Sequence, residues 1–244
     1  MSGFWGALQF LTRLPVPPGE YRLQETVGWL PVVGLVLGGI LAVVDLGLRA
    51  LAIDPLVVST VLVVLLLALS GALHADGLMD TCDAVFGHAS PERRLEIMRD
   101  PRAGAFGVVG LVCVVALKIA AVAALPAAIR PQLLLLAPVL GRWSIVLLAR
   151  VYPYGRASGL GAPLKQAATS RALVLASLVP LAGCAAFGPV GIVCGLLAAI
   201  VALGLGRWLM GLLPGLTGDC YGAACEVVEA TVWLSAAPLA RAWA

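Results

Sequence analysis

The chain has 244 residues, of which 61% are hydrophobic and only 12% are charged, and its mean hydropathy is +1.02. A soluble domain is close to half apolar and a quarter charged, so this composition excludes an ordinary soluble protein and indicates an integral membrane protein. The net charge of +3 is too small to indicate a nucleic-acid partner, and the six cysteines, with no CxxC pair, do not indicate a disulfide framework or a zinc site.

The apolar residues form continuous blocks, which favours transmembrane helices over the alternating pattern of a β-barrel. The N-terminal stretch "MSGFWGALQFLTRLPVP" has neither the basic start nor the cleavage site that is typical of a signal peptide. It predicts a short interfacial helix, because Phe4, Trp5, Leu8 and Leu11 share one face before the prolines end it.

Seven segments approach the roughly 20 apolar residues that a transmembrane helix needs. They are residues 28–53, 55–73, 104–126, 132–149, 171–186, 190–212 and 220–240. No linker or convincing repeat divides them. The sequence therefore predicts an all-α integral membrane protein, a single polytopic helical bundle of about seven transmembrane helices plus short interfacial helices, which forms one domain over residues 1–244.

Basic residues are distributed unequally between the two faces of this predicted bundle. One face takes the N-terminal segment and the loops 74–103, 150–171 and 207–219, which together hold eleven Lys and Arg residues. The other face holds three, which are Arg49, Arg130 and Arg241. The positive-inside rule makes the first face cytoplasmic. We therefore expect a multi-pass protein of the cell (inner) membrane with its active site facing the cytoplasm.

The stretch "HADGLMDTCDAVFG", which begins at His74, places three aspartates directly after an apolar block. If one helix continues into it from the second span, Asp80 and Asp83 fall within about 40° of Asp76 around the helix, so the three share one face. Aligned carboxylates repel one another, and Mg²⁺ offsets that repulsion while it bridges to substrate phosphates. Gly77 leaves room for a phosphate, and His74 can orient an aspartate or donate to phosphate. A solvated, charged helix end is the alternative interpretation.

The next segment, "SPERRLEIMRDPRAGAFG", predicts a short helix with Ser90 as its N-cap and Pro91 at its first position. Its arginines suit phosphate or diphosphate binding, because the guanidinium fork matches phosphate geometry. Attraction to anionic lipid headgroups is the alternative. These arginines are Arg93, Arg94, Arg99 and Arg102.

A second acidic group lies in "GLTGDCYGAACEVVE". Asp219 and Glu226 are seven residues apart and share a face of the helix that Thr217 and Gly218 introduce. The predicted topology puts Asp219 on the same cytoplasmic face as Asp76. Two acidic helix ends on one side could hold one or two metal ions for a phosphoryl transfer.

Two bases fall inside predicted spans, and a third lies in a glycine-rich loop. Arg142 is about 12 Å of helix rise from Arg150, so we expect it to line the floor of a cytoplasmic cavity. Lys118 lies deeper, and snorkelling or pairing with a buried acid such as Asp45 would explain it. Arg156, in "YPYGRASGLGAPLK", is a candidate substrate contact in a loop that can cover a nucleotide.

Together these stretches resemble the adenosylcobinamide-GDP ribazoletransferase family, also called cobalamin 5′-phosphate synthase. The resemblance is carried, over residues 7–229, by "ALQFLTRLPVP", "HADGLMDTCDAVFG", "RRLEIMRDPRAGAFGV", "GRW" with "YPYGRASGLG", and "GLTGDCYGAACEVVE". Their order and combination carry the specificity, since none is specific alone. The chain departs from the family pattern at Ala75 and at "RDP", residues 99–101, and neither departure touches the aspartates.

The resemblance implies a membrane-embedded transferase of late cobalamin biosynthesis with Mg²⁺ as its cofactor. In that reaction a ribose hydroxyl of α-ribazole, or of its 5′-phosphate, attacks the corrinoid-bound phosphorus of adenosylcobinamide-GDP, and GMP leaves. We expect the metal to be held by Asp76, Asp80, Asp83 and Asp219, and one of these acids or Glu226 to accept the hydroxyl proton. The expected substrate-binding set is His74, Gly77, Arg93, Arg94, Arg99, Arg102, Arg142 and Arg156. The expected partners are these small molecules and the lipid bilayer, without nucleic acid, and homo-oligomerisation stays open.

Two other functions stay open as alternatives. A CDP-alcohol phosphatidyltransferase also gathers aspartates at cytoplasmic helix ends, as DxxDG…AR…GxxxDxxxD, whereas this chain has DGxxDxxD without the Ala-Arg and the spaced glycine. A cation-coupled transporter would use Asp45, Lys118 and Arg142 as its pathway, although most acids of this chain cluster at one face and not at the midplane where transporters bind.

Overall fold

The computed structural model describes residues 2–156, 159 and 161–242, and for residues 240–242 it describes the backbone alone. Within these residues the chain forms helices joined by turns, without a strand, which confirms the predicted helical fold. Two 3₁₀ helices, Leu23–Glu25 and Val27–Trp29, precede the second α-helix. The α-helices of the described residues are α1 (Ser2–Leu11), α2 (Leu30–Ala50), α3 (Pro55–Leu69), α4 (Leu73–Phe86), α5 (Pro91–Ile97), α6 (Ala105–Ala123), α7 (Arg130–Val151), α8 (Gly161–Ala167), α9 (Ser170–Ala186), α10 (Gly188–Leu209) and α11 (Gly218–Ala242).

Each of the seven predicted spans coincides with a helix, but these helices differ in length and hydropathy. In the part of the chain that the structure describes, four stretches are long and apolar enough to cross a membrane, which are Val27–Ala50, Ala105–Ala123, Arg130–Val151 and Gly188–Leu209. The bent pairs α3 with α4 and α8 with α9 raise the number to six if each pair is one span. By length and composition, four to six of the seven predicted segments thus qualify as spans within the described residues, and the shortness of α3 and α9, with 15 and 17 residues, accounts for the two that qualify only as part of a bent pair.

Helix α7 forms the centre of the bundle. Its apolar segment is 83% buried, whereas the corresponding segments of α6 and α10 are only 22% buried. Helices α2, α9, α10 and α11 all pack against α7. The outer helices expose apolar side chains, such as those of Val108, Val109 and Val112 on α6. This inverted distribution is expected for a bundle whose outer surface contacts lipid.

Two glycines let α2 approach α7 closely. A Cβ on Gly34 would lie 2.3 Å from the carbonyl oxygen of Pro138, and a Cβ on Gly38 would lie 2.7 Å from that of Leu134. Small residues four positions apart allow this kind of backbone contact between membrane helices. The sequence signal for the contact is the pair of glycines in "GLVLG".

The chain breaks its helix immediately before the three aspartates. Gly71 and Ala72 have φ angles of +59° and +55°, and α4 begins at Leu73 at an angle of 90° to α3. The expected continuous helix is therefore wrong, and the aspartates lie on a separate helix. With 14 residues, α4 is about 21 Å long and too short to span a bilayer by itself.

Candidate active site

Helices α4 and α11 cross at two glycines. A Cβ on Gly77 would lie 2.8 Å from the carbonyl oxygen of Asp219, and a Cβ on Gly222 would lie 3.2 Å from backbone atoms of His74. This close crossing brings Asp76 and Asp219 together from distant parts of the sequence. Gly77 thus makes room for the backbone of α11, whereas the sequence predicted that this room would serve a phosphate.

A pair of glycines also places Arg156 beside Asp219. The N–H group of Gly155 donates to the carbonyl of Leu216 at 2.8 Å, and a Cβ on Gly155 would lie 2.4 Å from the carbonyl oxygen of Gly215. The loop after α7 is therefore joined to the loop before α11. Arg156 consequently forms an ion pair with the Asp219 carboxylate at 2.9 Å. Three residues of the glycine-rich stretch, Ala157, Ser158 and Leu160, lie outside the described residues.

Two predicted helix starts near the site are confirmed. The Ser90 hydroxyl accepts a hydrogen bond from the N–H group of Arg93, with Pro91 at the first position of α5. At the start of α11, the Thr217 hydroxyl accepts from the N–H group of Cys220 at 3.4 Å. These local capping patterns were readable because each lies within four consecutive residues.

The carboxylates of Asp76, Asp80 and Asp219 lie close enough to repel one another. Burial and the charges of Asp219 and Asp76 raise the pKa of Asp80 to about 7, although the nearby Arg156 lowers it. A divalent cation would relieve this repulsion, and Mg²⁺ prefers oxygen ligands. In the described part of the chain no three His, Cys, Asp or Glu side chains are arranged to hold a metal by themselves. However, Mg²⁺ commonly takes only one or two protein carboxylates, with phosphates and waters, so these acids fit it.

Asp83 has a different environment from the other aspartates of α4. Its two carboxylate oxygens accept hydrogen bonds from the N–H groups of Gly104 and Gly107, each at 2.8 Å. These donors belong to the start of α6, where a negative charge also complements the helix dipole. A Cβ on either glycine would lie less than 2.5 Å from a carboxylate oxygen. Asp83 therefore holds α4 against α6, which explains the small residues of "RAGAFG".

Two of the candidate arginines pair within their own segment. Arg93 contacts Glu96 at 2.7 Å and Arg102 contacts Asp100 at 2.6 Å. The Arg102 partnership lowers the pKa of Asp100 to about 2. Both arginine side chains are mostly exposed, and Arg102 lines a surface groove together with Asp83.

The other candidate arginines of this face are Arg94, Arg99 and Arg156, and two of them link the α5 segment to neighbouring loops. Arg94 donates to the carbonyl of Leu212 at 2.9 Å, in the loop before α11. Arg156 donates to the carbonyl of Met98 at 3.3 Å, and Arg99 is exposed. Arg156 is thus the candidate base that the structure brings into the acid cluster.

Lys118 and Arg142 pair with two glutamates inside the bundle. The Nζ atom of Lys118 lies 2.5 Å from both Glu226 and Glu229, and Arg142 donates to Glu229. All four residues are buried, with at most 3% of their surface exposed. This corrects two expectations: Glu226 is not an accessible acid of the active site, and Arg142 does not line the floor of an open cavity.

His74 lies between this charge cluster and the acids of α4. Its Nδ1 atom is 3.5 Å from Arg142 and 3.6 Å from the Cys225 sulfur. Its Nε2 atom is buried and has no hydrogen-bond partner among the described residues. The imidazole therefore contacts the charge cluster on one side, and the expected contact with an aspartate is not among its hydrogen bonds in the described structure.

The charged residues that a cation-coupled transporter would use, Asp45, Lys118 and Arg142, lie in two separate clusters. Asp45 pairs with Arg130 at 2.7 Å, and Arg130 also contacts Ser59 and the carbonyl of Val122. Lys118 belongs to the other cluster. The three residues proposed for a cation pathway therefore do not line one common path in this structure.

The chain is similar to known proteins over nearly its whole length. Residues 3–237 match the model of a family described as cobalamin-5-phosphate synthase. The adenosylcobinamide-GDP ribazoletransferase of Synechococcus elongatus is 42% identical over 243 residues, which cover 94% of this chain and 93% of that protein. Proteins of the same name from Desulforamulus reducens and Pseudomonas paraeruginosa are 40% identical over 232 residues and 43% identical over 240 residues, with coverage of 93% and 95% of this chain and of 92% and 96% of theirs. No solved structure matches the chain significantly.

Proposed function

Because the chain belongs to the cobalamin-5-phosphate synthase family, we propose that it is a membrane-embedded transferase of cobalamin biosynthesis. It joins adenosylcobinamide-GDP to α-ribazole or α-ribazole 5′-phosphate and releases GMP, so that adenosylcobalamin or its 5′-phosphate is formed. The observation that carries this proposal is the family match over residues 3–237. The acid cluster that α4 and α11 form is consistent with it, because phosphoryl transfer needs a site that neutralises phosphate charge.

We further propose that Asp80, with either Asp76 or Asp219, holds Mg²⁺ together with substrate phosphates, and that Asp83 acts by positioning α4. Burial and the charges of Asp219 and Asp76 raise the pKa of Asp80, and the second of these causes supports the assignment, because a bound cation would offset the repulsion between the carboxylates. Bound Mg²⁺ would neutralise the diphosphate of the substrate and hold it for in-line displacement. The contacts of Asp83 with Gly104 and Gly107 support its positioning role.

The transfer makes one bond to phosphorus and breaks another. The oxygen of a ribose hydroxyl bonds to the corrinoid-bound phosphorus, while the bond from that phosphorus to the bridging oxygen of GMP breaks and GMP leaves with the electron pair. The hydroxyl proton passes to one of the three acids, Asp76, Asp80 or Asp219. Arg156, which lies among the acids, pairs with the negative charge that develops on the phosphate of the leaving GMP.

We propose that this site faces the cytoplasm from the cell (inner) membrane. The excess of Lys and Arg on the loops of this face supports the orientation. The contacts of Arg156 with Asp219, and the crossing of α4 with α11, keep three segments of this predicted face together. The site is therefore on one side of the bundle, where water-soluble substrates can reach it.

The direct test is GMP release from adenosylcobinamide-GDP by purified protein, with and without α-ribazole and Mg²⁺. We expect Asp80→Asn to lower the rate at least about 100-fold, the scale of a lost electrostatic contact in an active site, while folded protein remains in the membrane. Asp54→Asn is the matched control, because Asp54 is an exposed N-cap of α3 and asparagine caps equally well. Near-normal turnover by Asp80→Asn would contradict the assignment of the site.

The same preparation discriminates the alternatives. A CDP-alcohol phosphatidyltransferase would release CMP from a CDP-alcohol and would leave adenosylcobinamide-GDP intact. Absence of GMP release from the wild-type protein with both substrates and Mg²⁺ present would overturn the proposed function, irrespective of the variants.

A further inference from the structure

A partly enclosed cavity of about 130 Å³ adjoins the acid cluster. This volume is about ten times what a single water molecule requires. Five helices line it, since α1 and α8 close it on the sides that α4, α7 and α11 leave open. Its walls are mainly apolar, and the apolar side chains are those of Phe10, Leu11, Leu73, Ile145 and Leu164. Asp76 and Asp219 also line it, so a molecule in this cavity lies next to the proposed metal ligands.

Two buried polar atoms belong to side chains that line this cavity. The Tyr221 hydroxyl and the Nε2 atom of His74 have no hydrogen-bond partner among the described residues, and the two residues are 2% and 3% exposed. Buried polar groups are nearly always paired in folded proteins. Groups left unpaired in a binding site are characteristic of positions that pair with a bound ligand.

From these features we infer that the cavity binds the aromatic base of the acceptor nucleoside, a subsite that rests on the proposed function. The base of ribazole is a benzimidazole, a flat two-ring system with a single unglycosylated ring nitrogen. Apolar walls match its rings, and we place that nitrogen next to the Tyr221 side chain, whose hydroxyl has no hydrogen-bond partner among the described residues. The ribose then lies at the acidic end, where one of its hydroxyls is close to Asp76 and Asp219.

The small number of polar groups also distinguishes this base from guanine. Guanine carries several donors and acceptors on its edges, and away from the carboxylates of Asp76 and Asp219 the side chains that line the cavity offer only the Tyr221 hydroxyl and the His74 imidazole to pair with them. A benzimidazole has one such atom to satisfy. We therefore assign the apolar part of the cavity to the acceptor base and not to the guanosine half of the donor substrate.

Steady-state kinetics with both substrates varied separately test this assignment. Tyr221→Phe removes only the hydroxyl, and we expect it to raise the KM for α-ribazole about three- to tenfold, the range of one lost hydrogen bond. The KM for adenosylcobinamide-GDP should stay unchanged. Ile145→Phe places ring atoms in the cavity, and we expect it to raise the KM for α-ribazole at least tenfold and to favour the nucleoside of unsubstituted benzimidazole over that of dimethylbenzimidazole.

Leu140→Phe is the matched control for the filling variant. Leu140 lies on the same helix, α7, but lines a different apolar groove between α7, α9 and α10, so the same enlargement should leave the KM values for both substrates unchanged. Equal size-exclusion profiles and melting temperatures identify variants that are folded. Tyr221→Phe keeps the test valid if Ile145→Phe does not fold.

An unchanged KM for α-ribazole in folded Tyr221→Phe and an unchanged nucleoside preference in Ile145→Phe would overturn the inference. A rise confined to the KM for adenosylcobinamide-GDP would also overturn it, because the cavity would then serve the donor. Both results leave wild-type GMP release intact, so they differ from failure of the proposed function, in which wild-type protein itself shows no transfer.

Discussion

Replacing Lys118 by methionine removes one charge from the buried cluster that contains Lys118, Arg142, Glu226 and Glu229. The wild-type cluster is neutral, with two positive and two negative side chains, and Lys118 contacts both glutamates at 2.5 Å. The variant leaves Glu226 without its cationic partner at a position that is 3% exposed. Removing one partner of a buried pair typically costs about 3–5 kcal/mol, so we expect a loss of stability of this size.

The measurement is reversible unfolding of purified protein in mixed detergent micelles, followed by far-UV circular dichroism. A double variant, Lys118→Met with Glu226→Gln, restores neutrality, and we expect it to recover most of the loss. Arg93→Met is the control, because the pair of Arg93 with Glu96 is exposed and such pairs contribute less than about 1 kcal/mol.

Two results would refute this reasoning. One is a Lys118→Met variant as stable as wild type, which would mean that the lysine is not needed to neutralise the glutamates. The other is a double variant whose loss equals the sum of the single losses, because independent sites add whereas members of one charge network couple.

Two further predictions concern the acid cluster. Because the pKa of Asp80 is raised to about 7, this carboxylate is mostly protonated at pH 6 and mostly ionised at pH 8, and only the ionised form binds a cation. Binding of Mn²⁺ in place of Mg²⁺, followed by electron paramagnetic resonance, should therefore be about tenfold weaker at pH 6 than at pH 8, and equal affinity at both pH values would contradict the role of Asp80. Gly77→Leu should destabilise the protein by about 1–3 kcal/mol, since even a Cβ would lie 2.8 Å from the backbone of Asp219. Gly39→Leu is its control, because nothing lies within 4 Å of a Cβ there, and equal unfolding free energies for the two variants would count against the close crossing.

Features that depend on neighbouring residues were predictable from the sequence. Hydropathy located the helices, because a long apolar segment in a membrane must pair its own backbone polar groups and does so as a helix. The Ser90 and Thr217 caps lie within four residues of the groups they bind. The alignment of Asp76 with Asp80 follows from helix periodicity alone.

The tertiary structure decided which groups meet. Periodicity places Asp83 near the other aspartates, yet its carboxylate binds the start of α6. The same periodicity places Glu226 in line with Asp219, yet Lys118 holds it inside the bundle. Neither partner lies in the same segment, so no local pattern could identify it.

One sequence signal could have indicated the buried cluster. Glu226 and Glu229 are three residues apart and share a helix face, and charges within membrane helices are rarely left unpaired. Lys118 and Arg142 match them in number and opposite sign. Even so, the sequence alone determined only that such charges must find partners. The choice of partners was decided by the packing of α6, α7 and α11, because an ion pair in a low-dielectric interior requires contact, and contact between distant segments exists only in the folded bundle.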